Sequence, residues 1–308
     1  MDSTPSPPPP PPLTFLHLLH VLKHLPRTGW LRTIDRPESV AGHSFGLALL
    51  GGFAPAPLDK TRCVFIGLCH DLAESVVGDI PTYAGVPKER KHKLEASAFQ
   101  YIASLIERSD PAFAQAVTDA WLDYEEGRTA EGRWMKEMDK FECLTWGDKD
   151  KDLSEFQGLS AKLVSPTSVA WLAALQQARS AYRTRRQDGR LPVVFLAGVP
   201  RALSARVAAD LGFRHIALEE VLRAKAQDPS YPHAAYLLGC LDDDIGVFVG
   251  LTVRLLQEQL EQAATTTADP TTAWTLVSGF PNTKQELAEF EREVQKPNFV
   301  VLLRHGPA

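Results

Sequence analysis

Residues 63–81, CVFIGLCHDLAESVVGDIP, are almost wholly apolar yet carry His70, Asp71, Glu74 and Asp79. Read as one helix, at about 100° per residue, the stretch sets His70 and Asp71 side by side with Glu74 between them one turn on. All three then project from one face. An imidazole and two carboxylates buried with no Lys or Arg among them would repel as anions or be forced to protonate. A bound divalent cation removes that cost. A metal site is one reading of the stretch; helix residues hydrogen-bonded inside a core are the other. Partners elsewhere in the chain decide between them.

On the N-terminal side, a helix is expected to have Pro37 in its first turn and to run to about residue 50, carrying His43. Before it lies a helical pattern from Leu13 that Pro26 ends, and before that MDSTPSPPPPPP, a disordered or polyproline II leader over residues 1–12. On the C-terminal side, Gly78 suits an αL cap for the opening helix, and Pro81 prevents its continuation. Another helix is expected to start over 88–94, with further helices over 95–106, 111–124, 129–147 and 169–183, Asp139 lying on the one over 129–147. This part of the chain is all-α. His43, the His70-Asp71 doublet and Asp139 supply two nitrogens and two carboxylates from three helices, leaving about two positions of an octahedron for water and substrate.

The polar, basic stretch YRTRRQDGRLP places a domain boundary between residues 180 and 191, giving domains at 13–185 and 186–308. Beyond it the pattern alternates. Strands are expected in LPVVFLAGVP, FRHIAL, WTLVSGF and NFVVLLR, with helices between them, which predicts a smaller α/β domain on a parallel sheet.

Composition narrows the function classes. The net charge over 308 residues is −5, which predicts no nucleic-acid partner. No apolar run reaches the length of a membrane span. Cys63, Cys69, Cys143 and Cys240 form no CxxC pair, so a disulfide framework or zinc ribbon is not expected; a reducing, cytoplasmic setting is.

The stretches PRTGW (26–30), RPESVAGHS (36–44), CHDLAESVVGDIP (69–81), VPKERKHKLE (86–95) and MKEMDKFEC (135–143) occur in an ordered set. In that order they resemble an HD-domain phosphohydrolase of the 5'-deoxynucleotidase branch, over residues 13 to about 180. The resemblance implies that His43, His70, Asp71 and Asp139 hold one divalent ion (Mn, Co, Fe, Zn or Mg), with Asp71 and Glu74 serving the chemistry. It also implies that Arg27 and Trp30 orient the phosphate and that Asp79, Ile80, Pro81 and Thr82 contact the nucleotide, Asp79 near the sugar hydroxyl. The expected activity is hydrolysis of (2'-deoxy)nucleoside 5'-monophosphates by a homodimer. Alternatives are a phosphohydrolase for another phosphorylated nucleoside in secondary metabolism, or a non-catalytic nucleotide sensor. This chain departs from the family at Gly42, where relatives usually carry an acid.

Residues 191–304 resemble an adenylate kinase whose phosphate loop has lost its chemistry. Where GxxxxGK[ST] needs Gly, Lys and a hydroxyl, GVPRALSA offers Leu203, Ser204 and Ala205. The family's DGFPR reads SGFPN here, with Ser278 and Asn282, although Arg223 remains. A degenerate, structural or regulatory module is expected.

Overall fold

The computed structural model describes residues 9–32, 36–145, 157–187, 191–266 and 273–303. Most of the proline leader, residues 1–8, and residues 188–190 of the expected boundary lie outside them. The chain divides into two compact units, Met1–Ser180 and Ala181–Ala308.

The first unit is built of helices: α1 (Leu13–His24), α2 (Val40–Gly51), α3 (Lys60–Cys69), α4 (Glu74–Val77), α5 (Lys88–Glu107), α6 (Pro111–Glu126), α7 (Ala130–Thr145), α8 (Gln157–Ser160) and α9 (Pro166–Gln187). Short side chains fix where several begin. Ser39 accepts from the Gly42 amide to cap α2, Asp59 from Thr61 and Arg62 to cap α3, and Asp110 from Phe113 to cap α6. Pro37 therefore lies outside α2 rather than in its first turn. The run expected as separate pieces over 88–106 is one helix, because Lys, Glu, Ala and Leu dominate it with no Pro or Gly. The core gathers Leu47, Ile66, Phe99, Ile102, Met135 and Met138, each almost fully buried, from α2, α3, α5 and α7.

Two glycines set how closely α2 and α3 approach. A Cβ on Gly67 would lie 2.7 Å from the Ala48 Cα, and one on Gly51 would lie 2.8 Å from the Val64 amide nitrogen. Helices α2 and α3 thus meet backbone to backbone, bringing the His43 and His70 rings to 5.3 Å.

The opening stretch is not one continuous helix. Helix α3 stops at Cys69, residues 70–73 form turns, and α4 resumes at Glu74. Through the doublet the amides tighten to i→i−3 bonds, Leu72 to Cys69 and Glu74 to Asp71. His70 contributes locally, its Nδ1 donating to the Gly67 carbonyl at 2.9 Å. Gly78 has φ 80° and ψ 162°, a region open to glycine but not the αL cap expected for it.

The second unit holds a parallel four-stranded sheet ordered β2-β3-β1-β4, with β1 Val193–Ala197, β2 Arg214–Ala217, β3 Thr275–Ser278 and β4 Phe299–Leu302. Helices α10 (Arg201–Asp210), α11 (Leu218–Gln227), α12 (Ala234–Asp242), α13 (Val249–Thr265) and α14 (Lys284–Glu293) alternate with the strands. The sequence reading omits α12. Phe195 on β1 packs against Phe280 and Phe290 at the centre of this second core.

Candidate active site

The four expected metal-binding side chains come together. His43, from the first turn of α2, is fully buried; its Nε2 lies 3.2 Å from Asp139 Oδ1 and 3.8 Å from Asp71 Oδ2. His70 Nε2 lies 3.0 Å from the same Asp71 oxygen. Neither Nε2 makes a well-formed hydrogen bond, and both are sealed from solvent.

Each imidazole is oriented from behind. With its Nδ1 hydrogen on the Gly67 carbonyl, His70 keeps a lone pair at Nε2; His43 does the same by donating Nδ1 to Glu142 Oε2 at 3.0 Å. Both lone pairs then face Asp71 and Asp139. The donor set of two imidazole nitrogens and carboxylate oxygens suits a divalent transition metal or Mg²⁺. The electrostatics ask for a cation at the same place. Although burial opposes a charged imidazole, Asp139 and Glu142 outweigh it and push His43 up to about 10. Burial likewise opposes the Asp71 carboxylate, which His70, His43 and Arg27 hold at about 2. Asp139 is held below the usual range in the same way. A metal ion supplies the positive charge that a proton on His43 otherwise must. The residues fit the group.

Glu74 is buried next to this cluster. Burial, then Asp71 and Asp79, push its carboxyl well above the usual range. Arg27 Nη1 lies 3.8 Å from Asp71 Oδ2. Arg27, Trp30, Asp79, Ile80, Pro81 and Thr82 all line one cavity of about 490 Å³, together with His70, Asp71, Glu74 and Asp139. His43 stands behind its wall. Lys88 and Lys91, from the basic start of α5, border the same cavity. Asp79 differs from expectation in one respect: its Oδ2 accepts the Thr28 amide at 2.6 Å, so one carboxylate oxygen is already engaged by the protein.

Sequence reasoning missed two residues. Glu142 stands three places after Asp139 on α7, a spacing that puts both on one helix face, so the signal was present in MDKFEC. Tyr124 donates its hydroxyl to Asp139 Oδ2 at 2.8 Å, and its ring lies 4.8 Å from that of His70. Nothing in the sequence pairs it with Asp139, because the contact crosses from α6 to α7.

Known proteins resemble the first unit. An HD domain model matches residues 19–167. The 5'-deoxynucleotidase hdd1 of Schizosaccharomyces pombe is 35% identical over 178 residues, covering 54% of this chain and 90% of its own length. The human 5'-deoxynucleotidase HDDC2 is 33% identical over 178 residues, covering 54% and 86%. Among solved structures, the HD domain-containing protein YGK1 aligns over 59% of this chain and 90% of its own, with 25% identity and a TM-score of 0.45. The chain belongs to the HD-domain family of metal-dependent phosphohydrolases, in its 5'-deoxynucleotidase branch.

Proposed function

We propose that the first unit is a metal-dependent 5'-nucleotidase that hydrolyses 2'-deoxynucleoside 5'-monophosphates to nucleoside and phosphate. The observation that carries this reading is the pair of buried, unbonded imidazole Nε2 atoms facing Asp71 and Asp139 in the wall of a cavity that Arg27 also lines. Relatives named 5'-deoxynucleotidases support the substrate class.

His43, His70, Asp71 and Asp139 would hold the ion. When bound, such an ion polarises a phosphate oxygen and acidifies a coordinated water. Glu74, beside Asp71, orients the attacking water and accepts its proton. Arg27 offsets charge on the phosphoryl oxygens, and Trp30, whose amide donates to the Arg27 carbonyl, lines the same cavity. Attack at phosphorus breaks the bond to the nucleoside 5'-oxygen. Asp79, Ile80, Pro81 and Thr82 line the sugar side of the cavity.

The test is phosphate release from a panel of nucleoside monophosphates by metal-stripped protein, with single divalent metals added back. We expect His70→Ala and Asp71→Ala to lose both turnover and bound metal, and Glu74→Ala to keep metal while losing turnover. The kcat/KM for a 2'-deoxynucleotide should exceed that for its ribonucleotide. Full turnover in metal-stripped protein would sink the reading.

The second unit is, in our reading, a degenerate adenylate kinase module. The segment at the former phosphate loop is helical from Arg201, Ser204 turns its hydroxyl back to the Pro200 and Arg201 carbonyls, and Arg201 pairs with Glu220. We place the protein in the cytoplasm on its four free cysteines and expect a homodimer by family resemblance. Among the described residues no helix is long and apolar enough to cross a membrane.

A further inference from the structure

The turn carrying Arg27 and Trp30 and the loop carrying Asp79 to Thr82 are far apart in sequence, yet both backbone polar groups of Thr28 are bonded to the second segment. The Thr28 amide donates to Asp79 Oδ2 at 2.6 Å, and the Thr28 carbonyl accepts the Tyr83 hydroxyl at 2.9 Å. The two segments also run close at Gly29, where an added Cβ would sit 3.9 Å from the Pro81 Cβ. The Tyr83 ring is held in turn by the Arg32 guanidinium, 4.6 Å above its centroid. Behind the turn, the Arg27 amide donates to the Glu38 carbonyl at 3.0 Å, tying it to the segment that leads into α2. Behind the loop, Lys91 Nζ donates to the Ile80 carbonyl at 3.2 Å, tying it to α5.

We infer that Tyr83 is a specificity-determining positioning residue: its hydroxyl, with Asp79, clamps Thr28 and so fixes the distance between the phosphate-facing turn and the sugar-facing loop. This rests on the nucleotidase reading above. The chemistry that follows is selection by spacing. A 5'-monophosphate and a 3'-monophosphate of one deoxynucleoside carry the same groups, but the vector from phosphorus to the remaining sugar hydroxyl differs. A rigid clamp admits one of them. A loosened clamp costs orientation more than chemistry, because neither Tyr83 nor Thr28 contacts the metal-binding side chains. Asp79 serves both segments, with one oxygen on Thr28 and the other left for the sugar.

Tyr83→Phe removes one hydroxyl and keeps the ring under Arg32, so the variant should fold and melt close to wild type. We would measure kcat and KM for thymidine 5'-monophosphate, thymidine 3'-monophosphate and the sugar-free ester p-nitrophenyl phosphate, in wild type and variant, each reconstituted with the same metal. The expected result is a roughly tenfold fall in the 5'-over-3' ratio of kcat/KM, the order for losing one positioning hydrogen bond. It should come mainly from a higher KM for the 5'-ester, with a smaller loss on p-nitrophenyl phosphate. An unchanged 5'-over-3' ratio, or an equal loss on all three esters, would overturn the inference while leaving the nucleotidase intact. A wild-type protein that hydrolyses p-nitrophenyl phosphate but neither nucleotide would sink the nucleotidase reading, and this one with it.

Discussion

At the scale of single residues, the site depends on what stands behind its metal-facing atoms. Glu142 accepts the His43 Nδ1 hydrogen inside the protein, and it does so without an acid at position 42, where Gly42 packs beside Glu38. The Glu38 carboxyl is pushed up to about 7 by burial and by Glu142, with His43 and Arg27 pulling the other way. Carboxylate support of His43 is therefore present, but it comes from α7 rather than from α2 itself. Glu142→Ala should weaken metal binding roughly 10–100-fold, the usual range for removing such a partner. Competition with a chromogenic chelator reads this directly. Metal affinity equal to wild type would show that packing alone orients His43. Tyr124 belongs to the same scale: burial and Asp139 push its phenol well above its ordinary value, so it acts on Asp139 as a donor only.

At the scale of elements, the crossing of α2 and α3 decides whether His43 and His70 meet at all. Gly67→Ala places a methyl against the Ala48 backbone, which cannot rotate away as a side chain could. The expected cost is about 1–3 kcal/mol, the range for overpacking a close-packed core. A lower Tm together with weaker metal binding is the expected pair of outcomes in a thermal melt with and without metal. Gly46, on α2, is the control, since a Cβ there meets nothing within 4 Å. Gly46→Ala should leave the melt unchanged or raise it slightly, because alanine is the better helix former. Equal behaviour of the two variants would mean that the close approach is not what fixes the histidines.

At the scale of the whole molecule, the proposed chemistry belongs to the first unit. In the second, Gly198 keeps a positive φ of 74°, but a side chain there would strike the Leu303 carbonyl oxygen, so its glycine serves packing against the chain after β4. Arg223 pairs with Glu219 at 2.9 Å, and Asn282 donates to the Gly279 carbonyl at 3.3 Å. On the proposed kinase-like reading, the absence at 203–205 of a lysine, a close-approach glycine and a magnesium-binding hydroxyl removes three contributions to phosphate binding together. The full-length protein should show no ATP binding by calorimetry and no AMP-dependent ADP formation. Micromolar ATP affinity with ADP formation would instead make the protein bifunctional.

Fold class and its order, helices first and a parallel sheet after, can be read from the chain, because hydrophobic period and strand-helix alternation are local properties. The sequence also contained the set proposed to hold the ion, since His43, the His70-Asp71 doublet and Asp139 stand in stretches whose order identifies the family. Even Glu142 was legible at helical spacing from Asp139. Other features exist only in the folded chain: the break in the helix at residues 70–73, the contact of Tyr124 with Asp139, and the two hydrogen bonds of Thr28, one to Asp79 and one to Tyr83. Each of these depends on backbone bonds or on partners 15 to 55 residues apart in the chain. Such contacts form only after the core has set the helices side by side. No local pattern encodes them, because the energy that selects them comes from packing between elements.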